Sequence, residues 1–218
     1  MGIQRGRTRL GNLAEAQQFI ARVARQGRAT ADGGTPGRGG EHSAPAMHPD
    51  DVRLAEIMRR RDQLGAEPPT FNIAANDAAY GIHGAHTEGR HGPGIPLPRD
   101  PGRQTIEGRI YGDSPWRNPE NWSYRWSDPS TMNRTVNDYV ERNWDRIRDD
   151  LALEGAHDSS FDAGHRVGQG YYNDGMYGAG PRNSHYSETS FVKVRIRLVP
   201  GADPPELFIL TAFPQGIM

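Results

Sequence analysis

The chain has 218 residues, 26 Lys or Arg against 27 Asp or Glu, 34% hydrophobic residues and no cysteine. That excludes disulfides and thiolate metal sites. No apolar run approaches the roughly 20 residues that span a bilayer. The N-terminus also lacks an apolar stretch of signal-peptide type, so export is expected to need a specialised machine or a longer parent polypeptide.

A net charge of -1 selects no partner, and 27 Gly with 17 Pro predict a modest core with much irregular structure. Residues 1–70 carry 11 Arg against 8 acids, and the remainder is slightly acidic. Lys193 is the only lysine. Base composition is the simplest cause, although guanidinium is also the better fork for phosphate oxygens.

In chain order, Leu10, Leu13, Phe19, Ile20 and Val23 form a weak helical stripe over residues 10–25. Residues 27–48 are Gly, Pro, Ala, Thr and Ser with scattered charge, and read as a flexible linker. Residues 49–64 read as a short charged helix. Pro49 suits its first position, Asp50 and Asp51 its N-terminal dipole, and Arg59 to Arg61 its far end. Residues 1–70 together are expected to be an N-terminal extension or linker, with the folded domain over 71–218.

Residues 80–104 set His83, His86 and His91 among Gly and Pro, and Gln104 to Tyr111 reads as a short strand or extended piece. Trp116, Trp122 and Trp126 follow within eleven residues. They suit base stacking, but plugging a core poor in Leu and Ile is the commoner use.

The clearest helix begins at Ser130 and Thr131, both good N-caps. Met132, Val136, Val140, Trp144, Ile147 and Leu151 recur at steps of three or four and define one apolar face, with Asn133, Asn137, Asp145 and Arg148 facing away. Residues 155–189 read as a long Gly-rich loop with Phe161, Tyr171, Tyr172, Tyr177 and Tyr186 spaced through it. A β-hairpin closes the chain. Val192, Val194, Ile196 and Leu198 alternate with Lys193, Arg195 and Arg197, and residues 200–205 turn the chain into Leu207 to Phe213. Simple alternation places Ile209, Thr211 and Phe213 on one face.

Several pieces then fall in a recognisable order: His86-Thr87-Glu88-Gly89-Arg90-His91, then Glu107-Gly108-Arg109-Ile110. Ser130-Thr131-Met132-Asn133-Arg134 enters the long helix, the stretch from His157 to Gly168 follows, and Leu210-Thr211-Ala212-Phe213-Pro214 closes the hairpin. From about residue 84 to Pro214 the chain resembles the bacterial ribonuclease A-like domain found at the C-termini of contact-dependent growth inhibition toxins and other polymorphic toxins.

The resemblance implies an α+β fold of ribonuclease A-like type, with an antiparallel sheet, a C-terminal hairpin, packed helices and no disulfides. It implies a metal- and cofactor-independent endoribonuclease acting as a monomer, with RNA (tRNA among the candidates) as substrate and a cognate immunity protein as partner. It also implies delivery by a specialised secretion system into the cytoplasm of a target cell. Its catalytic positions fall on His91, Arg109, Thr211 and Phe213, with His86 as a neighbour. The segment between His91 and Arg109 is longer than the family's usual one. Glu88 stands where Ile is usual, and Phe213 stands where Tyr is common.

The chemistry such residues suit is transesterification through the RNA 2'-hydroxyl. Histidine titrates near neutral pH and can remove the 2' proton, and His91 is the expected base. Arg109 is placed to meet charge on the phosphorane. Thr211 can donate a hydrogen bond to phosphate but is no acid, so His165 and His185 are candidate proton donors. Arg90, Arg195 and His165 are further candidate substrate contacts.

Zinc on His83, His86 and His91 is a lesser alternative, because their spacing is not the helical pattern of metallohydrolases. Gly164 to Gly170 lacks the strand and helix that frame a dinucleotide site. Two other functional readings stay open: a catalytically weakened binding module on the same fold, and a toxin enzyme acting on a nucleotide such as NAD.

Overall fold

A computed structural model describes residues 48–176 and 180–216. The expected helical stripe at 10–25, residues 27–47 of the expected linker, and Tyr177 lie outside the described residues. The fold is α+β, with two small antiparallel three-stranded sheets and several helices.

The elements are α1 (Pro49–Gln63), α2 (Ile73–Tyr80), a 3-10 turn (Gly81–His83), α3 (Thr87–His91), α4 (Ile106–Tyr111), β1 (Trp122–Trp126), α5 (Pro129–Glu154), β2 (Ala156–Asp162), β3 (Gly168–Asn173), β4 (Ser184–Thr189), β5 (Phe191–Leu198) and β6 (Leu207–Pro214). One sheet runs β1-β3-β4 and the other β2-β5-β6.

The long helix α5 organises the core. Met132, Val136, Val140, Ile147 and Leu151 are fully buried, and Trp144 nearly so, against Val192, Val194 and Ile196 of β5 and Ile209 and Ala212 of β6. Its cap is not Ser130 or Thr131. The Asp128 carboxylate accepts from the Thr131 amide at 2.8 Å, with Pro129 opening the helix. A charged acceptor one turn earlier outcompetes two hydroxyls. Gly155, at φ 69°, closes the helix in the left-handed conformation that glycine enters at little cost.

The face expected to point away is also used. Asn133 Oδ1 accepts from the Ile73 amide at 2.8 Å, and Asn137 Oδ1 from the Phe71 amide at 2.7 Å. Arg148 donates to the Gly65 carbonyl at 3.1 Å. The segment before α2 is extended backbone without a sheet, so its polar groups need side-chain partners. Helix α1 is fixed to α5 by Arg61, whose Nε lies 2.5 Å from Asp149 Oδ1, and by Arg60 on the Ala152 carbonyl.

Two further expectations are corrected. Residues 106–111 form a helix, not a strand. Thr105 caps it by accepting from the Gly108 amide, and Ile106 and Ile110, four apart, go into the interior. Residues 155–189 are not one loop but hold three strands. In β2 the buried residue is His157, bonded through Nδ1 to Asp150 and through Nε2 to the Tyr139 hydroxyl, both at 2.8 Å. Gly168 in β3 lets that strand approach β6, since a Cβ there would lie 2.5 Å from the Pro214 ring.

Strand β6 is the edge of its sheet, yet its outward backbone groups are occupied. Asn76 donates to the Ile209 carbonyl at 2.8 Å and accepts from the Ile209 amide at 2.9 Å. The His86 amide reaches the Leu210 carbonyl, the Ala212 amide reaches Thr87 Oγ1, and Trp126 Nε1 reaches the Ala212 carbonyl at 2.9 Å.

Candidate active site

A bulge at Leu210 decides which residues of β6 reach the site. Arg195 pairs with Thr211 and Ile196 with Ile209, leaving Leu210 without a partner across the ladder. The strand therefore switches phase. Ile209 joins the core together with Ala212, not the face of Thr211 and Phe213 as alternation implied. Directly opposed residues of an antiparallel pair share a face. Thr211 thus sits beside Arg195 and Asp158, and Phe213 beside Lys193 and Ser160, on the face of the sheet turned away from α5.

Helix α3 brings the histidines to this strand. His91, its last residue, lays its imidazole on the Phe213 ring at 4.5 Å between centroids, with 16° between planes. His91 Nδ1 lies 3.2 Å from the Tyr124 carbonyl, which can only accept, so Nδ1 carries the proton and Nε2 keeps the lone pair. His86, half-buried at the start of α3, is oriented the same way, its Nδ1 donating to the Gly84 carbonyl at 2.5 Å. Thr87 between them is fully buried and holds β6 through its hydroxyl.

Arginine surrounds the pair. Arg109, on α4, is mostly buried, with its guanidinium 4.9 Å from the Trp116 ring centre and a weak contact to Glu120 at 3.9 Å. Burial depresses its pKa, Glu120 partly restores it, and Arg90 depresses it further.

His91 is 5% exposed. Its pKa is pushed down to about 3, first by burial and then by Arg109, against the opposing bond to Tyr124, with His86 and Arg90 adding to the depression. His86, Arg90, His91 and Arg109 are therefore electrostatically coupled, and of these His91 stacks on Phe213. Thr211 is 2% exposed, and its hydroxyl is buried without a hydrogen-bond partner. Such an orphan costs about 1–3 kcal/mol.

Not every candidate from the sequence gathers here. Arg195 is on the same face but exposed, 3.9 Å from Asp158. His165 lines a different cleft of about 280 Å³ between α5 and β2, with Thr135, Tyr139, Arg142 and Arg146. His185 is on β4, 2.8 Å from Asp174. Among the described residues no group of three or more His, Asp or Glu side chains is arranged to hold a metal ion. Sequence reasoning missed Tyr124 and Thr87. Tyr124 acts through its backbone carbonyl, which leaves no trace in residue type, and Thr87 was visible only as the neighbour of a histidine.

The buried imidazole makes stability depend on pH. Its folded-state pKa lies below the unfolded value near 6.5, so its contribution is complete above that value and is lost as pH falls toward 3. Between pH 7 and pH 5 that loss is about 2 kcal/mol. His157, depressed chiefly by burial, acts in the same direction. Urea unfolding at the two pH values, compared between wild type and His91→Phe, is expected to show a smaller drop in the variant. Equal drops would mean that His91 does not fold neutral.

No family model matches this chain, and neither a curated protein nor a solved structure matches it.

Proposed function

We propose that this chain is a ribonuclease A-like, metal-independent endoribonuclease of the bacterial toxin type, cutting RNA by attack of its own 2'-hydroxyl. The supporting observation is convergence. His91, Arg109, Thr211 and Phe213 come from α3, α4 and β6, yet the imidazole stacks on Phe213, Arg109 depresses that imidazole, and Thr211 keeps an unused hydroxyl two residues away.

In this reading His91 Nε2 takes the 2' proton, the 2' oxygen attacks phosphorus, and the bond to the 5' oxygen breaks. A water supplies the proton to that leaving oxygen, and a 2',3'-cyclic phosphate remains. Arg109 meets the negative charge that grows on the non-bridging oxygens. The Thr211 hydroxyl donates to one of them, which gives it the partner it lacks in the free protein. Because His91 and Thr211 are almost fully covered, RNA has to displace that cover to react. RNA, with tRNA among the candidates, is the proposed substrate. A blocking immunity protein and delivery into the cytoplasm of a target cell belong to the same proposal. No helix among the described residues is long and apolar enough to cross a membrane.

One observation favours a second reading, a binding module that kept the fold and lost the chemistry: an imidazole with a pKa near 3 is a poor base at neutral pH. Incubating the purified chain with total RNA in EDTA separates the two. Fragments ending in cyclic phosphate support the enzyme, and intact RNA that co-elutes with the protein supports the module. Intact RNA with consumed NAD would replace both.

A further inference from the structure

We infer that the cleft between α5 and β2 is a binding site for a phosphate group, free or carried on a small monoester. It is separate from the candidate active site and independent of the ribonuclease reading. The cleft opens along β2, and β2 and β6 are opposite edges of their sheet. Three features of α5 meet there.

The first is an orphaned hydroxyl. Thr135 borders the cleft. It is 3% exposed, and its Oγ1 is buried without a hydrogen-bond partner. A threonine inside a helix can return its hydroxyl to the carbonyl four residues back. Thr135 does not, so a donor stays unused at the cleft wall, which costs stability.

The second is an interrupted turn. Asn143 also borders the cleft, and its backbone leaves the helical range at φ -121° and ψ 15°. Its side chain donates to the Tyr139 carbonyl at 2.8 Å. In a regular helix that carbonyl takes the amide of residue 143. A side chain inserted into the ladder kinks a helix, and the kink falls where the cleft forms.

The third is charge. Arg142 and Arg146 stand on either side of the kink, both are exposed, and both line the cleft. Like charges gathered on one helix face repel, and an anion between them removes that cost. Two carboxylates also border the cleft, and each is engaged. Asp162 accepts from the Gly164 amide at 2.9 Å. Asp138 lies 3.6 Å from Arg142, in a pair open to water on both sides. Such a pair contributes little, so Arg142 can exchange it for a ligand oxygen.

Guanidinium forks match phosphate geometry. A phosphate monoester presents three acceptor oxygens to the two arginines and Thr135, where a carboxylate presents two. The cleft volume of about 280 Å³ is near the lower end for small-molecule sites, and Phe161 gives it an apolar wall for an organic remainder.

The test titrates the full chain with inorganic phosphate and, separately, with AMP, and follows thermal unfolding. Phosphate at ten times its Kd is expected to raise Tm by about 3 °C. Arg142→Gln and Arg146→Gln are each expected to weaken binding about tenfold. Thr135→Val separates a binding role from a structural one by its sign. Removing an orphaned hydroxyl is expected to leave Tm of the free protein equal to wild type or higher, while phosphate binding weakens about tenfold. A lower Tm in free Thr135→Val would make that hydroxyl structural and overturn the inference. So would no shift with either ligand, or a shift that all three variants keep. Equal affinity for phosphate and AMP assigns the site to the free anion, and tighter AMP binding assigns it to a monoester; either supports the inference. RNA cleavage is not read in this experiment, so the ribonuclease proposal stands or falls separately.

Discussion

His91→Ala is expected to lower RNA cleavage by at least about 100-fold, the range over which a positioned general base acts, and to relieve toxicity when the chain is expressed in bacterial cytosol. The Tyr124 carbonyl fixes the tautomer that leaves Nε2 free, and Phe213 fixes the plane of the ring. Removing the ring also opens a small void against Phe213, so the control is His91→Gln, which keeps bulk and polarity but carries no basic lone pair. Both variants should be inactive while His91→Gln retains a near wild-type unfolding transition. A fully active His91→Gln would move the base to His86, whose Nδ1 is pinned to Gly84 in the same sense.

Trp126→Ala is expected to destabilise the protein by about 4 kcal/mol, the usual cost of truncating a buried tryptophan. It is likewise expected to lower activity through the site it supports. Trp126 is fully buried in β1, in the first sheet, and its indole donates to the Ala212 carbonyl of β6, in the second. It is therefore a direct tie between the two sheets, next to the strand that carries Thr211 and Phe213. Trp126→Phe keeps most of the apolar surface and removes only the hydrogen bond. Its expected loss is about 1–3 kcal/mol, from a carbonyl left buried and unpaired. Urea unfolding of the two variants checks both. Equal losses would show that the bond, not the packing, joins the sheets.

The α5 face and the closing hairpin were legible because each carries several turns of one period. Met132 to Leu151 repeats the helical step five times, and Val192 to Ile196 alternates cleanly. Helix α4 was missed for the opposite reason. Six residues contain one i,i+4 pair, Ile106 and Ile110, which reads equally well as extended chain. The caps Thr105 and Gly112 were the usable signal. Strands β2 to β4 are rich in Gly, Ser, Tyr and His, and one of the residues they bury is a histidine held by two polar partners. Composition alone assigns such a stretch to a loop.

At the candidate site, the family resemblance pointed to His91, Arg109, Thr211 and Phe213, and it carried no information on how enclosed they are. Burial arises from α3 lying along β6, a contact between segments more than a hundred residues apart. The phase of β6 was also beyond reach, since one bulged residue overrides alternation.

The occupied border of β6 constrains how another chain can engage this strand. With Asn76, Thr87, Trp126 and the His86 amide already bonded to its free side, and Pro214 lacking an amide at its end, the strand offers no ladder for an intruding segment to zip onto. Annexation by a foreign strand cannot proceed along that margin. A partner that covered this face would have to meet it through side chains rather than by adding a strand.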